Sequence, residues 1–150
     1  MTSTDKSGGK MSVTFDEPAK TVQGQEITVV SKIAYGREDG KHMDYTITDS
    51  NGNELLGSHI SIYSGSTAQA LRIGGEEQLN GGLPAGITTK NKDKDGIKNG
   101  YSTFTVTLSP DTNTITLKVS NAEDESTFTG KFPEGSSYDL GALNFSTTHT

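Results

Sequence analysis

"TTKNKDKDGIKNGYSTF", residues 88–104, sets oxygen-bearing side chains at alternating positions: Asn91, Asp93 and Asp95, then Gly96 and Asn99. Hard cations such as calcium take about six to eight oxygens, and Asp or Asn at alternate positions around a glycine turn supply them. Asp93, Asp95 and Asn91 are therefore candidate metal ligands, with Asn99 and a backbone carbonyl near Ile97 in support. Two features oppose a cation. Ser102 stands where a calcium loop carries its bidentate glutamate, and Lys92, Lys94 and Lys98 interleave the donors. The same lysines suit another chemistry, because the carboxylates of an anionic polymer pair with Lys and Arg. Lys94 in the loop, with Arg72 and Lys118 on strands, would serve it. A net charge of −6 works against a polyanion, although a local patch outweighs net charge within a Debye length of about 10 Å.

Sugars are held by planar polar groups and by aromatic rings packed on their apolar faces. The chain has no tryptophan, so the rings available are Tyr35, Tyr45, Tyr63, Tyr101 and, in a loop, Tyr138. Side chains alternate across a strand. Tyr45 shares a face with Met43 and Ile47 and is expected in the core, whereas Tyr63 and His59 share the side opposite Ile60 and Ile62. Arg72 lies opposite Leu71 and Ile73, and Tyr101 has the parity of Thr103 and Thr105, opposite Phe104 and Val106. Tyr63, Arg72, Tyr101 and His59, with Lys94 and Lys118, are the candidate ligand-binding residues. Tyr63, Arg72 and Tyr101, with His59 on the side of Tyr63, are expected to build one sheet face, assisted by the 90–98 loop.

Catalysis finds little support. Glycosidases need two carboxylates across a cleft, about 5–10 Å apart according to mechanism. Here Asp44 has no such partner on its strand, and Glu76-Glu77 and "EDE" (123–125) fall in turns. The three histidines (42, 59, 149) form no H-E-x-x-H pattern, and no G-x-S-x-G elbow exists. The expectation is a non-enzyme.

The elements that would position these residues are short strands. "MSVTFD" (11–16), "QEITVVSKIAYG" (25–36), "MDYTITDS" (43–50), "LLGSHISIYSG" (55–65) and "AQALRIGG" (68–75) come first. Asn51-Gly52 centres a hairpin turn in which both residues tolerate positive φ. An irregular region, 76–100, follows, and loops of that length are often functional. "YSTFTVTLSP" and "NTITLKVSN" then alternate strictly around the turn "SPDTN", and "STFTGKFP" and "GALNFST" close the chain. About nine strands with regular turns, and no helix signal, predict an all-β, two-sheet antiparallel β-sandwich of jelly-roll type.

Leu, Ile, Val and Phe make up just under a fifth of the chain, which suffices when only one face of each strand is buried. One domain is expected over 11–150, after a polar linker or expression start at 1–10. Without cysteine there is neither a disulfide framework nor a thiolate metal site. No apolar run is long enough to span a membrane, and an acidic chain with a pI near 5.0 is a poor nucleic-acid binder.

The order of the segments is also familiar. "Y-T-I-T-D-S-N-G-N-E-L", then "Y-S-T-F-T-V-T-L-S-P-D-T-N-T-I-T-L-K-V", then "F-T-G-K-F-P…L-G-A-L-N-F-S-T" resembles the concanavalin-like, laminin-G-like sandwiches over roughly residues 11–148. More narrowly, it looks like the carbohydrate-binding modules appended to bacterial pectate lyases and other plant-cell-wall-degrading enzymes. Lacking tryptophan, it departs from many of them and offers no flat platform for cellulose. The resemblance implies a secreted, monomeric, non-catalytic module that carries an attached catalytic domain to pectin or another soluble or amorphous polysaccharide. It requires no cofactor. It also suggests a structural calcium between chain-end segments, with Asp16, beside Glu17, and Asp139 as donors. The alternative is a structural or adhesive module of a bacterial surface protein without a glycan ligand.

Overall fold

The computed structural model describes residues 9–20, 25–33, 41–61, 70–79, 102–121 and 124–149. Among the described residues there are ten strands: β1 (Gly9–Lys20), β2 (Ile27–Ile33), β3 (Lys41–Thr48), β4 (Glu54–Ser61), β5 (Ala70–Ile73), β6 (Glu76–Glu77), β7 (Ser102–Ser109), β8 (Thr114–Ser120), β9 (Glu125–Lys131) and β10 (Asp139–His149). The sequence predicts nine of them. The tenth, β6, is a two-residue edge strand too short to show alternation.

All pairings are antiparallel, in a six-stranded sheet ordered β1-β10-β3-β4-β5-β6 and a four-stranded sheet ordered β2-β7-β8-β9. The expected two-sheet sandwich is therefore observed. Strict alternation builds its core: Phe104, Val106 and Leu108 of β7 and Ile115, Leu117 and Val119 of β8 face Met43, Tyr45, Ile47, Leu71 and Ile73 of the other sheet. Tyr45 is in the core as its parity predicts, 1% exposed. Its ring meets Phe104 edge-on with centroids 5.5 Å apart, and its hydroxyl lies 3.1 Å from Ser31 Oγ on β2. A buried tyrosine needs such a polar partner, and this one ties the two sheets together. Burial raises the Tyr45 hydroxyl pKa despite that hydrogen bond.

Two irregularities shape the end of the molecule that carries the β3–β4 turn. Ile47 pairs with Leu56 but Thr48 with Glu54, so Leu55 is an extra, unopposed residue. This bulge lets both Leu55 and Leu56 reach the core. The turn itself differs from the expected two-residue type. Gly52 alone takes positive φ (83°), while Gly52 N–H donates to Asp49 O at 3.1 Å and Asp49 N–H to Asn53 O at 3.0 Å. The reason is Asp49, whose carboxylate accepts from the backbone of Asn51 and Asn53 and favours the wider loop.

Candidate functional site

Two polar regions stand out. The first is the outer face of the six-stranded sheet. Register aligns Asn144, Thr46, Gly57, Arg72 and Glu77 in one row across five strands, and Ser146, Asp44, His59 and Ala70 in the next. Charges in these rows are paired. His59 Nδ1 lies 2.6 Å from Asp44 Oδ1 directly opposite, and Arg72 forks onto Glu54 through Nε (3.0 Å) and Nη2 (3.3 Å). The Glu54 carboxylate lies over Gly57, where a Cβ would fall 2.5 Å from Oε1. Glycine therefore lets the ion pair lie flat on the sheet.

Arg72 and His59 thus sit on one outward face, as their parity predicts, but the other candidates do not all join them. Lys118, on β8, is on the outer face of the opposite sheet, where it pairs with Glu125 at 3.0 Å. Tyr101 lies outside the described residues, but the strand that follows it, β7, also belongs to the opposite sheet. Of the expected face of Tyr63, Arg72 and Tyr101, the described residues therefore include Arg72 alone, with His59 beside it. Alternation tells in from out but carries no information on which sheet a strand joins. Tyr63, Lys94, Asn91, Asp93 and Asp95 lie outside the described residues, and Asp16 falls in the register shift of β1 between Thr14 and Ala19.

The second region joins the β3–β4 turn to the β9–β10 connection. Asp49 and Asp139 are 2% and 3% exposed, far from the ordinary state of a carboxylate. Asp49 Oδ1 accepts the N–H groups of Asn51 (2.9 Å) and Asn53 (2.8 Å), and Oδ2 accepts Asn53 Nδ2 (3.0 Å) and Ser137 N–H (3.1 Å). Asp139 accepts Ser50 N–H (2.8 Å), Ser50 Oγ–H (2.6 Å) and the Ser137 hydroxyl. Burial alone would raise Asp49, but the Asn53 side chain and the backbone donors of Ser137, Asn53 and Asn51 hold it below the usual carboxylate range. Burial likewise opposes ionisation of Asp139, and the donors from Ser137 and Ser50 outweigh it despite the neighbouring Asp49 charge. Carboxylates so occupied are poor general acids or bases. Asp139, a candidate calcium donor, spends its oxygens on Ser50 and Ser137. Among the described residues no group of three or more His, Asp or Glu side chains gathers as a metal site.

This latch grips the backbone on both sides of Tyr138, which adopts φ 58°. Left-handed backbone in a bulky residue costs on the order of 1–3 kcal/mol and persists only when its surroundings enforce it. The Tyr138 ring lies against Phe132, centroids 4.8 Å apart, yet Tyr138 is 40% exposed. β10 comes close here: a Cβ on Gly141 would fall 2.3 Å from Asp49 O. The sequence reading singled out Asp139 and noted Tyr138 as a loop ring, but missed Asp49, Ser50 and Ser137. The local signal for Asp49 is "T-D-S-N-G-N", an aspartate placed to cap its own turn. Its partnership with residues some 88 positions away has no local signature.

No protein-family model matches the sequence, and no curated protein matches it. Among solved structures, the chain is similar to the CBM2 module of the evolved Dit of Lactobacillus casei BL23 phage J-1, with a TM-score of 0.58 and 16% identity. The alignment covers 98% of this chain and 66% of that one, slightly under two thirds. At that identity the likeness speaks to the fold alone, a two-sheet β-sandwich.

Proposed function

We propose that the chain is a non-catalytic carbohydrate-binding module. The observation that carries this reading is the outer face of the six-stranded sheet, where Asn144, Thr46 and the Arg72–Glu54 fork in one row and the Asp44–His59 pair in the next make a half-buried polar surface. Planar polar groups held by their neighbours meet sugar hydroxyls with little loss of side-chain freedom. The solved structure similar in fold is a carbohydrate-binding module, which supports the reading. Tyr63, Tyr101 and Lys94 enter the proposal on their chemistry alone.

The finer reading is a secreted, monomeric module that holds an attached enzyme on pectin or another soluble or amorphous plant polysaccharide. Weak binding raises the effective concentration of the tethered domain on its substrate. The segment order supports this. A second reading, a structural or adhesive module of a bacterial surface protein without a glycan ligand, is favoured by the mutual pairing of the charges on that face, Arg72 with Glu54 and His59 with Asp44. Affinity electrophoresis in gels containing individual soluble polysaccharides tests both, since retardation by at least one glycan is expected only for the first. Microcrystalline cellulose is expected to leave the protein in solution, and depletion by it would overturn the preference for soluble glycans.

The reading needs no bound ion, and the loop with Asn91, Asp93 and Asp95 is proposed to hold no structural calcium, since Ser102 replaces the bidentate glutamate and lysines interleave the donors. Wild type and Asp93→Ala/Asp95→Ala are expected to melt alike with calcium or with chelator. A structural ion at a hundredfold excess over its dissociation constant would contribute about 2.7 kcal/mol, and a loss of that size in the variant would restore it.

A further inference from the structure

The ring at the loop end belongs to neither polar row of the sheet face, and its packing on the core residue Phe132 leaves it 40% exposed. Tyr138 is held in a disfavoured backbone conformation, is backed by Phe132, and still presents 40% of its surface to solvent. A tyrosine needed only for packing would turn inward, and one with no role would relax its backbone or give way to glycine. Here the chain is pinned on both sides. Ser137 donates its N–H to Asp49 and its hydroxyl to Asp139, and Tyr138 N–H donates to Ser136 Oγ at 3.2 Å. The ring is therefore presented by a rigid support.

We propose that Tyr138 is an aromatic platform for a neutral pyranose ring, a binding position at the loop end separate from the sheet face and set by the Asp49–Ser137–Asp139 latch. The charge pattern selects the ligand class. Both latch carboxylates are buried and their oxygens are occupied by internal donors, so neither is available to bond a sugar. The exposed charges flanking the ring in this connection, Lys131 and Glu134, are of opposite sign, so the loop end offers no net cationic field for a uronate. Exposed Ser50 and Asn51 and part-exposed Ser136 belong to the same end and carry hydroxyl and amide groups suited to sugar hydroxyls. A ring face packs on the C–H face of a pyranose without needing charge.

The inference rests on the glycan-binding reading, and the test separates the two. Neutral gluco-, galacto-, manno- and xylo-oligosaccharides, and oligogalacturonate as the acidic arm, are titrated calorimetrically into wild type, Tyr138→Phe, Tyr138→Ala and Tyr138→Gly. The glycine variant relieves the backbone strain, so it keeps the fold testable should the alanine variant not fold. A neutral oligosaccharide is expected to bind wild type and Tyr138→Phe alike, and the variants without a ring roughly five- to tenfold more weakly. Wild-type affinity in both ringless variants would overturn the platform while leaving a glycan module in place. Binding of oligogalacturonate alone, lost with the ring, would overturn the neutral-ligand assignment. Failure of wild type to bind any of the panel would remove the glycan-binding reading and the platform with it.

Discussion

Asp139 and Asp44 are both aspartates hydrogen-bonded to a partner distant in sequence, and the molecule treats them oppositely. Asp139, at the loop end, is 3% exposed and accepts three donors from two serines. The Asp44 side chain, on the outer face of the six-stranded sheet, is 30% exposed and faces His59 across a strand pair. Water competes for the second and hardly reaches the first. Burying an ionised carboxylate is tolerable only when its oxygens are occupied, and losing such a partner leaves buried donors with nothing to bind. The loop end is thus built for rigidity. The sheet face keeps polar groups that a ligand's hydroxyls can engage.

The sharpest way to break this contrast is to truncate both aspartates. Asp139→Ala removes the acceptor for Ser50 N–H, Ser50 Oγ–H and the Ser137 hydroxyl. Hydrogen bonds to a charged group contribute about 1.5–3 kcal/mol each and are not additive, so a loss of roughly 3 kcal/mol or more is expected. Asp44→Ala disturbs a part-exposed pair and should cost about 1 kcal/mol or less. Urea unfolding with matched slopes measures both. Equal losses would erase the distinction.

Acid separates the regions in a second way. Asp49 and Asp139 are held below the usual carboxylate range in the folded chain, whereas unfolded aspartates titrate near about 3.9. Their contribution to stability is therefore fully present above the unfolded value. It is lost as the pH falls through the depressed folded values. The urea midpoint should stay level from neutral pH down to about pH 5, then fall, and Asp49→Asn/Asp139→Asn should start lower and fall less steeply. An acid limb as steep in that variant as in wild type would place the acid-sensitive groups elsewhere.

Legibility in the sequence follows the range of the interaction. The inward set Phe104, Val106 and Leu108 was readable because alternation is local, and Tyr45 was placed in the core by the same rule. The sandwich followed from strand count and turn chemistry. The latch was not readable, because Asp49 meets Ser137 through a sheet order in which β10 pairs with β3, and no spacing rule reports that pairing. The same gap hid the division of Arg72 and Lys118 between opposite sheets. The positive φ of Tyr138 was equally silent, since a tyrosine gives no turn signal and the strain is imposed by distant partners.

The smallest effect expected belongs to the Arg72–Glu54 fork, which tests whether the sheet face is arranged for stability or for a ligand. Its side chains are 40% and 36% exposed, so solvent screens the pair even though the geometry is bidentate. A double-mutant cycle through Arg72→Ala and Glu54→Ala should give a coupling of about 0.2–1 kcal/mol in urea unfolding. Gly57 sharpens the reading, because an added Cβ would meet the Glu54 carboxylate at 2.5 Å and lift it from the sheet. A carboxylate on a flexible side chain can move aside, so Gly57→Ala should leave the core intact and only spread the fork. If the face binds sugar, Gly57→Ala and Arg72→Ala should weaken retardation in a glycan gel by far more than their small stability losses predict. If the fork is only a stabilising pair, unfolding and binding should change together, and the measured coupling should approach the upper end of that range.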